Sequence, residues 1–173
     1  MMRRHIAVIT AVCLLMSCAA GTAYHHFEHT EAVGWDKRDT FYFKVDTILH
    51  AGNYAALLCL RADAEYPYRS LSVRMMCEVR PGGTVSAHNV TLDMIRENGT
   101  RNGDGITYYT IEMPIDTLFM RPGDSLLMKV AHNMRRETMP GIMDVGVKVA
   151  EVSGNGKAMI WDRIRNGIFG GTE

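Results

Sequence analysis

The sequence predicts an all-β fold: a single antiparallel β-sandwich of jelly-roll or Ig-like type, with about eight or nine strands, behind a lipoprotein signal peptide. Three observations carry that reading. Apolar and polar residues alternate through most of residues 24–152, the period of half-buried strands. Clusters of Gly, Asn, Asp and Pro separate the alternating runs. The N-terminus is basic, then apolar, and closes on Leu15-Met16-Ser17-Cys18.

Taken from the N-terminus, Arg3 and Arg4 form a positive region, and Ile6 to Met16 form an apolar stretch too short to span a bilayer. Leu15 three residues before Cys18 and the small Ser17 directly before it fit a lipoprotein peptidase site; Met16 is bulkier than usual there. An ordinary secretory signal cut near Ala20 or Ala23 is the competing reading and leaves Cys18 a bystander. On the lipoprotein reading residues 1–17 are the signal peptide, and 18–23 are the lipidated cysteine and a small-residue tether. Residues 24–152 are then the sandwich, and 153–173 a tail. Three acyl chains, at about 0.8 kcal/mol per buried methylene, make the lipid bilayer the first partner.

Loss of residues 1–17 leaves 156 residues, enough for one domain with one core. Two arginines leave with the signal, so 17 basic face 19 acidic residues and no strong field invites nucleic acid. The strands are read in order. The first is near Tyr24–His29, followed by Phe41–Thr47, Tyr54–Leu60, Leu71–Val79, Val90–Met94, Ile106–Met113, Leu126–Met134 and Val145–Val149. In the tail, Ala158, Trp161, Ile164 and Ile168 recur at three- or four-residue steps, the pattern of a short amphipathic helix.

Cys13 departs with the signal, so Cys59 and Cys77 are the remaining thiols in an oxidising compartment. A hairpin centred near Tyr68 sets them opposite each other and allows a disulfide. A one-residue shift makes them diagonal, at roughly 7 Å or more, and leaves two buried thiols.

The chain has no Gly-rich phosphate loop, nucleophile elbow, His-Glu-x-x-His pair or Cys-x-x-Cys. No enzyme, cofactor or metal is therefore expected. His25, His26 and His29 cluster, and His25 and His29 share a strand face, yet no second group of ligands accompanies them in sequence. Asn98 to Gly105 has the oxygen ligands of a calcium loop, but Tyr109 stands where the bidentate Glu belongs, so a glycine-rich turn is expected. Asn89-Val90-Thr91 and Asn98-Gly99-Thr100 match the N-glycosylation pattern, a coincidence in a bacterial lipoprotein.

Four elements occur in order: a Leu60-Arg61 strand end; Tyr66-Pro67-Tyr68 with the following Leu71; a Met134-Arg135 strand end; and Gly141-Ile142-Met143-Asp144-Val145-Gly146. With the lipobox these residues resemble the gliding-motility lipoprotein GldH family of Bacteroidota. The segment Thr100-Arg101-Asn102 departs from the family pattern, which carries an aromatic residue before the glycines. The resemblance implies a membrane-anchored, non-catalytic component of a cell-envelope complex, with other envelope or gliding-machinery proteins as partners. Ala19-Ala20-Gly21-Thr22 lacks the acidic cluster of surface-exported lipoproteins, so the expected place is the outer membrane, facing the periplasm.

Arg61, Tyr66, Tyr68, Arg135 and Asp144 fall at strand ends; Arg61, Arg135 and Asp144 form an ion-paired cluster that joins those ends, or all five form a partner patch. A periplasmic glycan-binding module is the alternative function, with Tyr42, Tyr108 and Tyr109 as its aromatic platform. The anchor is testable directly. Cys18→Ala is expected to abolish labelling by a fatty-acid analogue and to move the protein from the membrane to the soluble fraction; unchanged labelling removes the assignment.

Overall fold

The computed structural model describes residues 21–152. The signal peptide, Cys18 and the predicted C-terminal helix lie outside them. The described residues form ten strands: β1 Thr22–His29, β2 Trp35–Asp36, β3 Phe41–Val45, β4 Gly52–Ala62, β5 Ser70–Arg80, β6 Thr84–Asp93, β7 Tyr109–Met120, β8 Ser125–His132, β9 Thr138–Met139 and β10 Ile142–Glu151. Every pairing is antiparallel. One sheet has the order β1-β10-β4-β7, the other β3-β8-β5-β6, and β2 and β9 form a two-stranded ribbon. The expected β-sandwich is present, with the strand order of a jelly roll.

The pairings are nested. β5 pairs β6, β4 pairs β7, β3 pairs β8, β2 pairs β9 and β1 pairs β10. The described chain is thus one long hairpin, folded about the turn between Arg80 and Thr84 and rolled into two sheets. Glycines at that turn supply the positive φ it needs, 114° at Gly82 and 64° at Gly83. Rolling adds the β10–β4 and β5–β8 ladders, which close each sheet.

Alternation decides which side chains are enclosed. Tyr54, Ala56, Leu58, Leu60 and Ala62 of β4, with Val145, Val147 and Val149 of β10, meet Leu71, Val73, Met75, Cys77 and Val79 of β5 and Leu126, Met128 and Val130 of β8. Trp35 is fully buried and its Nε1 donates to the Asp39 carbonyl at 3.2 Å. The buried His132 ring lies edge-on to it at 5.2 Å, and burial holds the pKa of that imidazole below its ordinary value.

The hairpin expected around Tyr68 does not form. β4 and β5 are consecutive in the chain but belong to opposite sheets, because residues 63–69 cross over the end of the sandwich. Cys59 lies on the face of its sheet turned away from Cys77, which points into the core; both are buried and free, so the disulfide is excluded. The strand expected at residues 106–113 runs instead over 109–120, and that expected at 90–94 begins at Thr84. A bulge opposite Ala56 and Leu57 lets β7 continue past Pro114 and shifts its alternation by one residue.

That bulge turns Asp116 toward the neighbouring sheet edge. Asp116 Oδ2 accepts from Ser86 Oγ at 2.5 Å and lies 3.0 Å from His88 Nε2, tying β7 to β6 where the sandwich would otherwise gape. Partial burial raises the carboxyl, but the hydrogen bonds from Ser86 and His88 outweigh it and the pKa ends below the ordinary Asp value. A depressed native pKa stabilises the fold above the unfolded value near 3.9, and the contribution is lost as pH falls through the native value. Asp116→Asn is expected to cost about 1–3 kcal/mol in urea unfolding at pH 7. The difference from wild type should shrink below about pH 4. An equal difference at pH 7 and pH 3 would show that the charge on Asp116 carries none of it.

Candidate functional site

The outer face of the β1-β10-β4-β7 sheet gathers the polar and charged side chains of four neighbouring strands. Three positions of the Gly141–Val147 segment explain the arrangement. Gly141 has φ 75°, and a Cβ there would sit 2.2 Å from the Tyr66 backbone nitrogen. Its carbonyl accepts from Asp63 N at 2.9 Å, so the glycine locks the β4–β5 crossover onto the start of β10. Asp144 follows, opposite Arg61 on β4 and His29 on β1. Gly146 lies opposite Phe27 and Cys59, and a Cβ there would come within 2.5 Å of Phe27 Cδ1 and 2.6 Å of the His26 carbonyl.

The missing side chain at Gly146 leaves a seat for the Phe27 ring, and the ring carries the Arg61 guanidinium 4.0 Å above its centroid. The Tyr108 ring centroid lies 5.6 Å from the same guanidinium. Arg61 Nη1 donates to Asp144 Oδ2 at 3.5 Å, and His29 Nδ1 faces Asp144 Oδ1. The Asp144 side chain is only 7% exposed, so its charge is matched rather than solvated. A cation stacked on aromatics above a buried carboxylate is held from two sides, with Arg61 worth about 0.5–2 kcal/mol through the ring contact. It contains no nucleophile–base pair.

The five strand-end residues foreseen from sequence sit at one end of the sandwich but do not form one cluster. Arg61 and Asp144 pair as described. Tyr66 is buried, donates from its hydroxyl to the Ser70 carbonyl at 2.8 Å and packs edge-on against Tyr68 at 5.7 Å. Burial pushes the Tyr66 phenol well above its usual pKa. The Tyr68 hydroxyl accepts from Arg136 at 3.0 Å, not from Arg135. Arg135 is exposed, and among the described residues it joins neither Arg61 nor Asp144. The three-residue ion cluster is therefore a pair.

The three tyrosines of the proposed glycan platform are divided. Tyr42 lies on β3 in one sheet, beside Lys129, while Tyr109 begins β7 in the other and Tyr108 directly precedes it. Two side-chain oxygens of residues 98–105 are used within the loop: Asn98 Oδ1 accepts from Thr100 N and Oγ1, and Asn102 Oδ1 accepts from Gly103 N, while Asn102 Nδ2 donates to the Asp93 carbonyl. Arg101 reaches out of this loop and donates to the carbonyls of Asp63 and Ala64 at 3.1 and 2.7 Å, bracing the crossover.

His25 and His29 share the outer face, and folding gives His25 two companions. His25, Cys59 and Glu112 present metal-ligand atoms within 4.8 Å of one another. Lys148 Nζ, however, donates to Glu112 Oε2 at 3.0 Å, and burial pushes the Cys59 thiol up to about 12. The group is thus a protonated thiol beneath an ion pair, with the Lys148 ammonium already holding the carboxylate a cation would need. The sequence singles out neither Phe27 nor Arg101 as a site residue, Tyr108 only as part of a glycan platform and Gly146 only as a motif glycine. Their roles depend on cross-strand register, and the one local signal was the glycine at 146.

Comparison with known proteins gives one informative match. The family model described as GldH lipoprotein matches residues 22–149. No curated protein matches the chain. A family 35 carbohydrate-binding module from Clostridium thermocellum is similar in structure at TM-score 0.36 and 15% identity, over 77% of this chain and 90% of that one. A family GH115 4-O-methyl-α-glucuronidase with specificity for decorated arabinogalactans gives TM-score 0.38 and 13% identity, over 80% of this chain and 19% of that one. Likenesses this loose carry no argument about function.

The seat at Gly146 can be tested by filling it. Gly146→Ala is expected to destabilise the protein by about 1–3 kcal/mol in denaturant unfolding, because the new methyl meets both the Phe27 ring and the His26 carbonyl. Truncating the ring in the same chain, Phe27→Ala, should recover only part of that loss, since the backbone contact remains; full additivity of the two changes would disprove the coupling.

Proposed function

The chain belongs to the GldH lipoprotein family, and from that premise we propose that it is a non-catalytic assembly or stabilising component of a cell-envelope complex. It is held on the outer membrane through acylated Cys18 and faces the periplasm. Its partners are other envelope proteins, gliding-machinery proteins among them. The observation that supports this reading is the end of the sandwich that carries Arg61 and Asp144. That end also presents Ile106 at 96% exposure, Tyr108 at 42% and the exposed Arg135, which has no ion-pair partner among the described residues.

Exposed Tyr and Arg beside an apolar residue are the composition of a binding hot spot. The residues beneath them are fixed: Tyr66 by burial and its bond to Ser70, Asp144 by Arg61 and His29, and the crossover by Gly141 and Arg101. A rigid base under exposed anchors lowers the entropy lost when a partner docks.

The test replaces exposed groups only. Tyr108→Ala with Arg135→Ala should leave stability within about 0.5 kcal/mol per site. The same pair should lower crosslinking and co-purification with envelope proteins in native membranes by tenfold or more, as loss of roughly 1.4 kcal/mol or more would do. Undiminished co-purification would place the partner surface elsewhere. A large drop in melting temperature would make the two side chains structural.

A further inference from the structure

The first described residue, Gly21, is already part of the sandwich. Its carbonyl accepts from Glu151 N at 2.9 Å, and Thr22 is in register with Ala150. Only Ala19 and Ala20 separate Cys18 from Gly21, and three residue steps at about 3.6 Å each give a reach of at most roughly 11 Å. The tether is therefore shorter than the 18–23 segment read from sequence, and its attachment point does not pivot freely.

Gly21 lines a cleft of about 400 Å³ together with Thr22, Ile48, Leu49, Tyr54 and Glu151. On the rim of this cleft Leu49 is 77% exposed, yet its neighbours are held. Ile48 is buried, donates its N–H to the Asp124 carbonyl at 2.7 Å and accepts from Gly123 N at 2.9 Å. The His50 carbonyl accepts from the Tyr54 hydroxyl at 3.0 Å. A leucine pinned on both sides and aimed away from the core is an apolar wedge that gains nothing from water. Asp46 and Glu151 line the same cleft as Lys44, so charge alone favours no strongly anionic or cationic partner there.

We propose that this end of the sandwich, with Leu49 as its wedge, docks on the lipid surface into which acylated Cys18 inserts. The inference rests on the acylation of Cys18 set out above. The reach of the tether brings Gly21 against the headgroup layer, and Leu49 is the exposed apolar side chain of the adjoining rim. β1 then runs outward from the membrane: its eight residues, at about 3.3 Å each, place His29 and Asp144 roughly 25 Å farther out. The Arg61–Tyr108–Arg135 end is thereby turned toward whatever stands above the bilayer.

The full acylated chain, carrying Leu49→Cys or Ile106→Cys modified with an environment-sensitive fluorophore, is reconstituted in vesicles of phosphatidylethanolamine and phosphatidylglycerol. The native Cys59 and Cys77 are fully buried and do not compete for the probe. The probe at position 49 should emit to the blue and be quenched several-fold more by a lipid spin-labelled near the headgroup than the probe at position 106. Equal, water-like emission at both positions in a preparation that still carries the fatty-acid label overturns the docking while leaving the anchor intact. Absence of the fatty-acid label from the unmodified chain overturns the anchor and the docking together.

Discussion

Nested antiparallel pairing is the constraint on which the rest of this structure depends. Each strand before the turn at Arg80–Thr84 pairs with its mirror strand after it, out to β1 with β10, so the innermost pair is local and the outermost joins residues more than a hundred positions apart. In this nested order each pair needs only a short loop to close once the pair inside it is in place. Rolling the ribbon buries one face of every strand. This in turn puts consecutive β4 and β5 in different sheets and sends residues 63–69 across the end.

The outermost pair is where packing and the candidate site become the same problem. β10 is buried by its valines on the core side, while its other side must satisfy Asp144 and make room for Phe27. A glycine at 146 resolves the second demand and an arginine across the ladder the first. Because Arg61 rests on the ring that Gly146 admits, the ion pair and the aromatic seat hold each other in place. Neither Gly146 nor Asp144 is explained by alternation alone.

The two ends of the sandwich are chemically different, and the difference divides the protein's proposed work. One end carries the entry of the chain, a cleft and a pinned leucine. The other carries a braced crossover, paired charges and exposed aromatic and basic side chains. Between them the Ser86–His88–Asp116 bridge closes the side on which the edge strands β6 and β7 face each other. Within that bridge Ser86 and His88 both address one carboxylate oxygen instead of each other.

The sequence by itself determined the all-β class, the enclosed residues of β5, β8 and β10, and the family, because two-residue periodicity and short motifs are properties of contiguous chain; Tyr54 to Leu60, apolar throughout, showed no such period. Pro114, which interrupts alternation, hid the second half of β7, and the two-residue β2 and β9 were too short to show a period. Only the tertiary structure decided that Cys59 and Cys77 face apart, that Asp144 pairs with Arg61 and not with Arg135, and that His25 meets Cys59 and Glu112. Those outcomes depend on which strands become neighbours and in what register. A shift of one residue reverses every side chain's face, so they are settled by the rolled sheet and not by local sequence.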